Sequence, residues 1–144
     1  MPSSFELRPT AKSDIAFCWP LYRDTLQPLM EPPTDWREPD QRRIVERALA
    51  DTGASILRSQ GADAGWLHVR EDGQVIGLKQ LLVVPELRNR GLGTSFLGWM
   101  KERADRKRKD LIVELVATSP ARRLLERLDF KAVPGSGRLI TMRY

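Results

Sequence analysis

Apolar and polar residues alternate at the start of the chain, fall into helical spacing from Ile15, and return to strand spacing after Gly53. Phe5-Glu6-Leu7-Arg8 reads as a short half-buried strand that Pro9 ends. Ile15, Cys18, Trp19, Tyr22, Leu26 and Leu29 recur every three or four residues, which predicts a helix capped by Ser13 or Asp14. Pro20 lies inside it and predicts a kink or a restart. Residues 30–39 hold Pro32, Pro33 and Pro39 and read as a loop, with a second helix starting near Pro39. Ile44, Val45, Ala48 and Leu49 form the predicted inner face of that helix, and Gly53 stops it. Strands follow over 54–58 and 66–70, separated by a turn at 60–63, and Asp72-Gly73 suits a hairpin turn. A long strand over 75–84 ends in Leu81-Leu82-Val83-Val84, an unbroken apolar run that predicts burial on both faces and a central place in a sheet. A helix over 94–108 turns Leu97, Met100 and Ala104 inward, and 111–116 is another apolar strand. Ser119 and Pro120 suit an N-cap and a first helical residue, with Ala121, Leu124, Leu125 and Leu128 following at helical spacing. Residues 130–142 read as a closing hairpin around Gly135-Ser136-Gly137. The predicted order is strand, two helices, three strands, helix, strand, helix, two strands, with no internal repeat.

Composition narrows this picture. The 144 residues suit one domain spanning 1–144, with a core large enough to need no metal or disulfide staple. One cysteine forms no internal disulfide, and no Cys/His cluster has zinc-site spacing. No apolar stretch reaches the roughly 20 residues of a membrane helix, and the N-terminus lacks a leader pattern, so a cytoplasmic location is the expectation. The skew is a net charge of +5, with 24 cationic residues of which 18 are Arg. Such an excess fits nucleic acid, a membrane surface or a small polyanion, or simply genome composition.

The segment that carries chemistry is Arg88-Asn89-Arg90-Gly91-Leu92-Gly93-Thr94, between the buried strand and a helix. The first turn of a helix leaves N–H groups unpartnered and partially positive. Gly91 and Gly93 let a ligand approach the backbone, and Arg88 and Arg90 add charge, so the segment reads as a diphosphate cradle. A Walker A loop is absent, and Phe96 stands where a dinucleotide fingerprint needs its third glycine. A bare Gly-x-Gly also fits a plain structural turn.

The run from Val83 through Pro85-Glu86 and Arg88-Asn89-Arg90-Gly91-Leu92-Gly93-Thr94 resembles the signature of the GNAT superfamily of N-acetyltransferases. The stretch from Ser119-Pro120-Ala121 to Leu124-Leu125-Glu126 and Leu128-Asp129-Phe130 resembles that superfamily's second motif. The resemblance implies an α/β (α+β) GNAT-like fold: one mixed, largely antiparallel sheet of about six to seven strands, flanked by about four helices. The sheet would splay between the fourth strand, 75–84, and the fifth, 111–116. Acetyl-coenzyme A, the implied acyl donor, would lie in the splay. Its pantetheine arm would run along Leu81, Leu82 and Val83. Its diphosphate would rest on Asn89, Arg90, Gly91, Leu92, Gly93 and Thr94, with Arg88, Ser119 and Arg122 close by. The implied reaction is direct attack of an amine, from a small molecule or a peptide N-terminus, with the Val83 N–H as oxyanion donor. No metal, nucleic acid or membrane is implied, and a homodimer is compatible with the family.

The chain departs from the pattern at Leu125, where the family usually carries a Tyr acid, at Ser119 in place of Asn, and at Asp129 in place of Gly. Candidate bases are Glu114, His68 and Glu38, because Gly77 stands about where some members carry a Glu. Each has a bland alternative: Glu114 facing a cation, His68 as a strand filler, Glu38 as a helix-start acid. Trp36 is expected to line the acceptor pocket, and the six cations of 101–109 to form a solvated face. Two other functions stand beside the transferase: a catalytically weak CoA-binding or sensor module, and a basic nucleic-acid binder.

Overall fold

A computed structural model describes residues 5–30, 36–134 and 139–144. Most of the proline loop (31–35) and the turn of the closing hairpin (135–138) lie outside them.

Seven strands form one sheet, flanked by four α-helices, among the described residues: β1 (Glu6–Pro9), α1 (Ile15–Met30), α2 (Glu38–Leu49), β2 (Ala54–Ser59), β3 (Ala62–Glu71), β4 (Val75–Val83), α3 (Leu92–Lys107), β5 (Asp110–Val116), α4 (Ala121–Arg127), β6 (Lys131–Ala132) and β7 (Leu139–Arg143). The spatial order is β1-β2-β3-β4-β5-β7-β6. Every pairing is antiparallel except β4 with β5. That parallel step needs a crossover, and α3 supplies it. β4 is the fourth of the seven strands in spatial order, so the central place expected of it holds for the strand, while its apolar end runs beyond the pairing with β5.

The two faces carry separate cores. On one, Phe96, Leu97, Met100 and Ala104 of α3 and Leu125 of α4 pack on Leu57, Leu67, Ile76, Leu78 and Leu111. On the other, Cys18, Trp19, Leu21 and Tyr22 of α1 and Val45, Ala48 and Leu49 of α2 pack on Ile56, Trp66 and Leu82. Ile44, expected inside, is 45% exposed. It sits at the margin of the stripe formed by Val45, Ala48 and Leu49. Pro20, expected to kink or restart α1, lies within one helical segment, as does Pro28. The expected strand-to-hairpin boundary also shifts: Ala62 and Asp63 belong to β3, and the turn is Gln60-Gly61, both at positive φ. Asp14 does not begin α1 directly but lies in a preceding 3-10 turn. There its carboxylate accepts from the Ala11 N–H at 2.7 Å and from both terminal nitrogens of Arg8.

Candidate active site

The sheet opens between β4 and β5. The two strands pair only from Val75 with Asp110 to Leu78 with Val113. Beyond that, β4 continues to Val83 and β5 to Val116 with no pairing between them, while β7 pairs along the other edge of β5. The parting begins at Lys79, an extra residue on β4 opposite the step from His68 to Val69 on β3. Such a bulge adds twist and bends its strand, which is what carries β4 away from β5.

Past the bulge, the backbone of β4 alternates between β3 and the opening. The Val84 N–H donates to the Ala64 carbonyl on β3 at 2.8 Å. Leu82 therefore also faces β3, whereas the N–H groups of Leu81 and Val83 face the opening, where no strand pairs with them. Gly65 supports this assignment: a Cβ there would lie 2.0 Å from the Leu82 carbonyl oxygen, so only glycine fits opposite it. α1 spans the same opening. Thr25 accepts from a terminal nitrogen of Arg88 at 2.9 Å, and the Leu29 carbonyl accepts from the Thr118 hydroxyl at 3.0 Å.

The end of β4 runs through a 3-10 turn, Pro85–Leu87, into α3. Asn89 (φ 60) and Gly91 (φ 85) adopt left-handed conformations that aim the chain into the helix. The first helical bond links the Ser95 N–H to the Gly91 carbonyl at 2.9 Å. The N–H groups of Leu92, Gly93 and Thr94 thus lie before the first helical bond, and a helix start of this kind can take an anion. Nothing approaches a Cβ at Gly91 within 4 Å, and one at Gly93 would touch only Leu124 Cδ2 at 3.5 Å. That contact sets α4 against the cradle. Arg90 is exposed beside it. Arg88 is turned back instead: its Nε donates to the Val83 carbonyl at 2.8 Å, so the guanidinium ties strand end to helix. Ser119 Oγ accepts from the Ala121 N–H at 3.2 Å, and Arg122 lies 3.6 Å from Glu126 on the surface of α4.

The acid and base candidates separate clearly. Glu114 Oε1 lies 2.8 Å from Lys79 Nζ, a cationic neighbour supplied by the bulge. His68 Nε2 lies 2.6 Å from Asp51 Oδ2, and this bond holds the Asp51 carboxyl below its ordinary value. Glu38 is the exposed first residue of α2. His68 lies two residues beyond Trp66 on the face covered by α1 and α2. Lys79 shares that face, because a Cβ at Gly77 would meet Lys79 Cε at 3.7 Å and Ile112 Cγ1 at 3.8 Å. Asp51 and Lys79 were not singled out from the sequence. Lys79 carries a signal, a lone cation inside an apolar strand. Asp51 carries none.

Trp36 stacks on Tyr22, with ring centroids 6.1 Å apart, and packs against the α1–α2 core. The indole N–H groups of Trp36 and Trp66 are buried with no acceptor among the described residues. The Tyr22 hydroxyl is hydrogen-bonded to Gln41 at 2.7 Å, and burial pushes it up to about 12, so it stays protonated. Leu125 is 2% exposed in the α3–α4 core beside Phe130. The cations of 101–109 are largely engaged: Lys107 and Lys109 each lie 2.7 Å from Glu71, with Arg103 at 3.6 Å. They hold the Glu71 carboxyl down to about 2. Lys101 donates to the Leu128 carbonyl and lies over the Tyr144 ring. Among the described residues no group of three His, Cys, Asp or Glu side chains could hold a metal ion, and no helix is long and apolar enough to cross a membrane.

Residues 18–130 match the acetyltransferase (GNAT) family. No curated protein matches the chain. Among solved structures, the fold is similar to the PaiA N-acetyltransferase of Thermoplasma acidophilum in complex with coenzyme A, with TM-score 0.72, 12% identity, and 97% of this chain and 98% of that one covered. An acetyltransferase of Thermus thermophilus gives TM-score 0.73 at 20% identity, covering 98% and 96%. YncA of Salmonella typhimurium, solved with its cofactor acetyl-CoA, gives 0.59 at 17%, covering 98% and 93%.

Proposed function

The chain belongs to the acetyltransferase (GNAT) family, and we propose that it transfers an acetyl group from acetyl-coenzyme A to the primary amine of a small molecule or a peptide N-terminus. The observation that carries this reading is the continuity of β4. One strand presents two inward N–H groups along an open edge and leads, through the turn Pro85–Leu87, to the amides at the start of α3. A long thioester with a diphosphate at its far end fits that pairing of features.

In this reading the N–H groups of Gly91, Leu92, Gly93 and Thr94 hold the diphosphate, with Asn89 and Arg90 at its rim. Ser119 and Arg122 flank it from the α4 side. Leu81 and Val83 pair with the pantetheine arm as a neighbouring strand would. Leu82, whose N–H faces β3, supports the arm only by position. The arm runs from the cradle towards the bulge, so of the two inward N–H groups that of Leu81 lies nearer the thioester. We therefore assign the developing oxyanion to Leu81, and Val83, the expectation from the family pattern, to the arm. Acetyl-coenzyme A supplies an activated carbonyl with a good leaving group.

The base assigned here is His68. With its Nε2–H donating to Asp51, the lone pair falls on Nδ1, ready to take a proton directly or through one water. Glu114 is occupied by Lys79, and Glu38 stands exposed at a helix start. The amine nitrogen bonds to the carbonyl carbon, its proton passes to His68, and the C–S bond breaks to release the thiolate. Leu125 offers no proton to that thiolate, which takes one from solvent. Trp36 walls the acceptor side.

The test is thiol release from acetyl-coenzyme A with a panel of amines, beside calorimetric coenzyme A binding. We expect His68→Gln to lower kcat by about 10²–10⁴, with coenzyme A affinity retained. Buried Leu125 favours one second reading, a module that binds coenzyme A without turnover. Binding with no thiol release from any amine would select it.

A further inference from the structure

Lys79 and Glu114 are the first residues beyond the last paired positions of β4 and β5, and they meet at 2.8 Å across the start of the opening. Their side chains are 35% and 37% exposed, so the pair is reachable. In the acetyl-transfer reading, on which this step rests, the thioester end of the donor arrives at this point.

An acceptor amine reaches the protein as an ammonium and needs a carboxylate to receive it. Glu114 faces the opening beside the thioester. An ammonium that takes Glu114, however, leaves the Lys79 cation next to a second positive charge. The stem of Lys79 passes beside Gly77, where a Cβ would meet its Cε at 3.7 Å, and its Nζ is bonded to Glu114. Like charges at such separation repel. A molecule carrying a carboxylate a few atoms from its amine removes the conflict: its ammonium meets Glu114, its carboxylate meets Lys79, and four charges alternate in sign. His68 stands two strands from Glu114 on the same face, so the docked acceptor lies between them: its ammonium loses one proton to solvent, and the neutral amine gives a second to His68 as nitrogen bonds to the carbonyl carbon.

We infer that the acceptor is a small zwitterion of the amino-acid type, docked by insertion into the Lys79–Glu114 pair. This narrows the acceptor class, because a peptide N-terminus or a simple alkylamine has no carboxylate at that distance.

The experiment compares kcat/KM for a series of amino acids, their amides and the matching alkylamines, with coenzyme A binding followed in parallel. We expect at least one amino acid to exceed its own amide about tenfold or more, and Lys79→Met to bring that ratio close to one. The charge-swapped variant K79E/E114K keeps an ion pair for folding but presents the acceptor reversed, so turnover of the amino acid should fall at least about tenfold. A purely structural pair would be restored by the swap. Amides or alkylamines used as well as amino acids, a preference that survives Lys79→Met, or full activity in the swapped variant would each overturn the inference while leaving the transferase reading intact. Coenzyme A binding with neither turnover nor binding of any amine would overturn both.

Discussion

The cradle before α3 and the polar pairs at the parting of β4 and β5 are neighbours assembled in opposite ways. The cradle is backbone from one continuous stretch, 83–94, and its donors exist because a helix begins there. The pairs are side chains brought together from different strands and loops: His68 with Asp51, 17 positions apart, and Lys79 with Glu114, 35 apart. A backbone site tolerates wide sequence change provided its turn conformations survive. A side-chain site changes with single substitutions. One region therefore suits a donor common to a whole family, and the other suits acceptors that differ between members.

The sharpest way to break the cradle side is Gly91→Val. Its φ of 85 is strained for any side chain and worst for a β-branched one. Redirecting those N–H groups should weaken coenzyme A binding by about 100-fold or more, near 2.7 kcal/mol. Gly93→Val should weaken it too while the fold survives, because its side chain meets only Leu124. Calorimetry with a melting curve separates the two effects, and unchanged affinity in both variants would remove the cradle assignment.

A middle-sized effect concerns the missing acid. Leu125→Tyr restores the residue common in the family, but this position is core here, 2% exposed beside Phe130. Overpacking should cost about 1–3 kcal/mol without raising kcat. A faster enzyme of undiminished stability would show that the hydroxyl reaches the opening after all.

The smallest effect lies away from both regions. Glu71 is held to about 2, against an ordinary value near 4.5, by Lys107 and Lys109. A lowered folded-state value means that the clip stabilises fully above about pH 4.5 and fades as pH falls towards 2. Glu71→Gln should cost about 1 kcal/mol near neutrality, because these partly exposed pairs are screened. The loss should shrink in acid and in high salt. Denaturant melts at several pH values would check this, and coenzyme A affinity should stay as it was.

Much of the architecture was legible in the apolar pattern. The order of elements, the central place of β4 and the inner faces of α1, α3 and α4 follow from period and from Pro and Gly punctuation. The misses are local and physical. Ile44 sits at the margin of a stripe, where composition alone cannot say whether a neighbour covers it. Pro20 lies within a single helical segment, so of the kink or restart expected there the restart does not occur. What no local pattern shows is that Arg88 donates to the Val83 carbonyl and to Thr25, two groups that only folding sets beside it.

By itself the sequence determined that a glycine-bearing turn flanked by arginines joins a strand to a helix, an arrangement whose first-turn N–H groups can take an anion. It also determined the order of elements, because period and punctuation are local properties, and its two motifs carried the resemblance that implied the fold class. Only the tertiary structure decided which carboxylate is bound to a lysine and which imidazole is bound to a carboxylate. It also decided that the inward N–H groups are those of Leu81 and Val83. Those outcomes depend on strand register and on a single bulge at Lys79. A shift of one residue there would exchange every inward group for its neighbour.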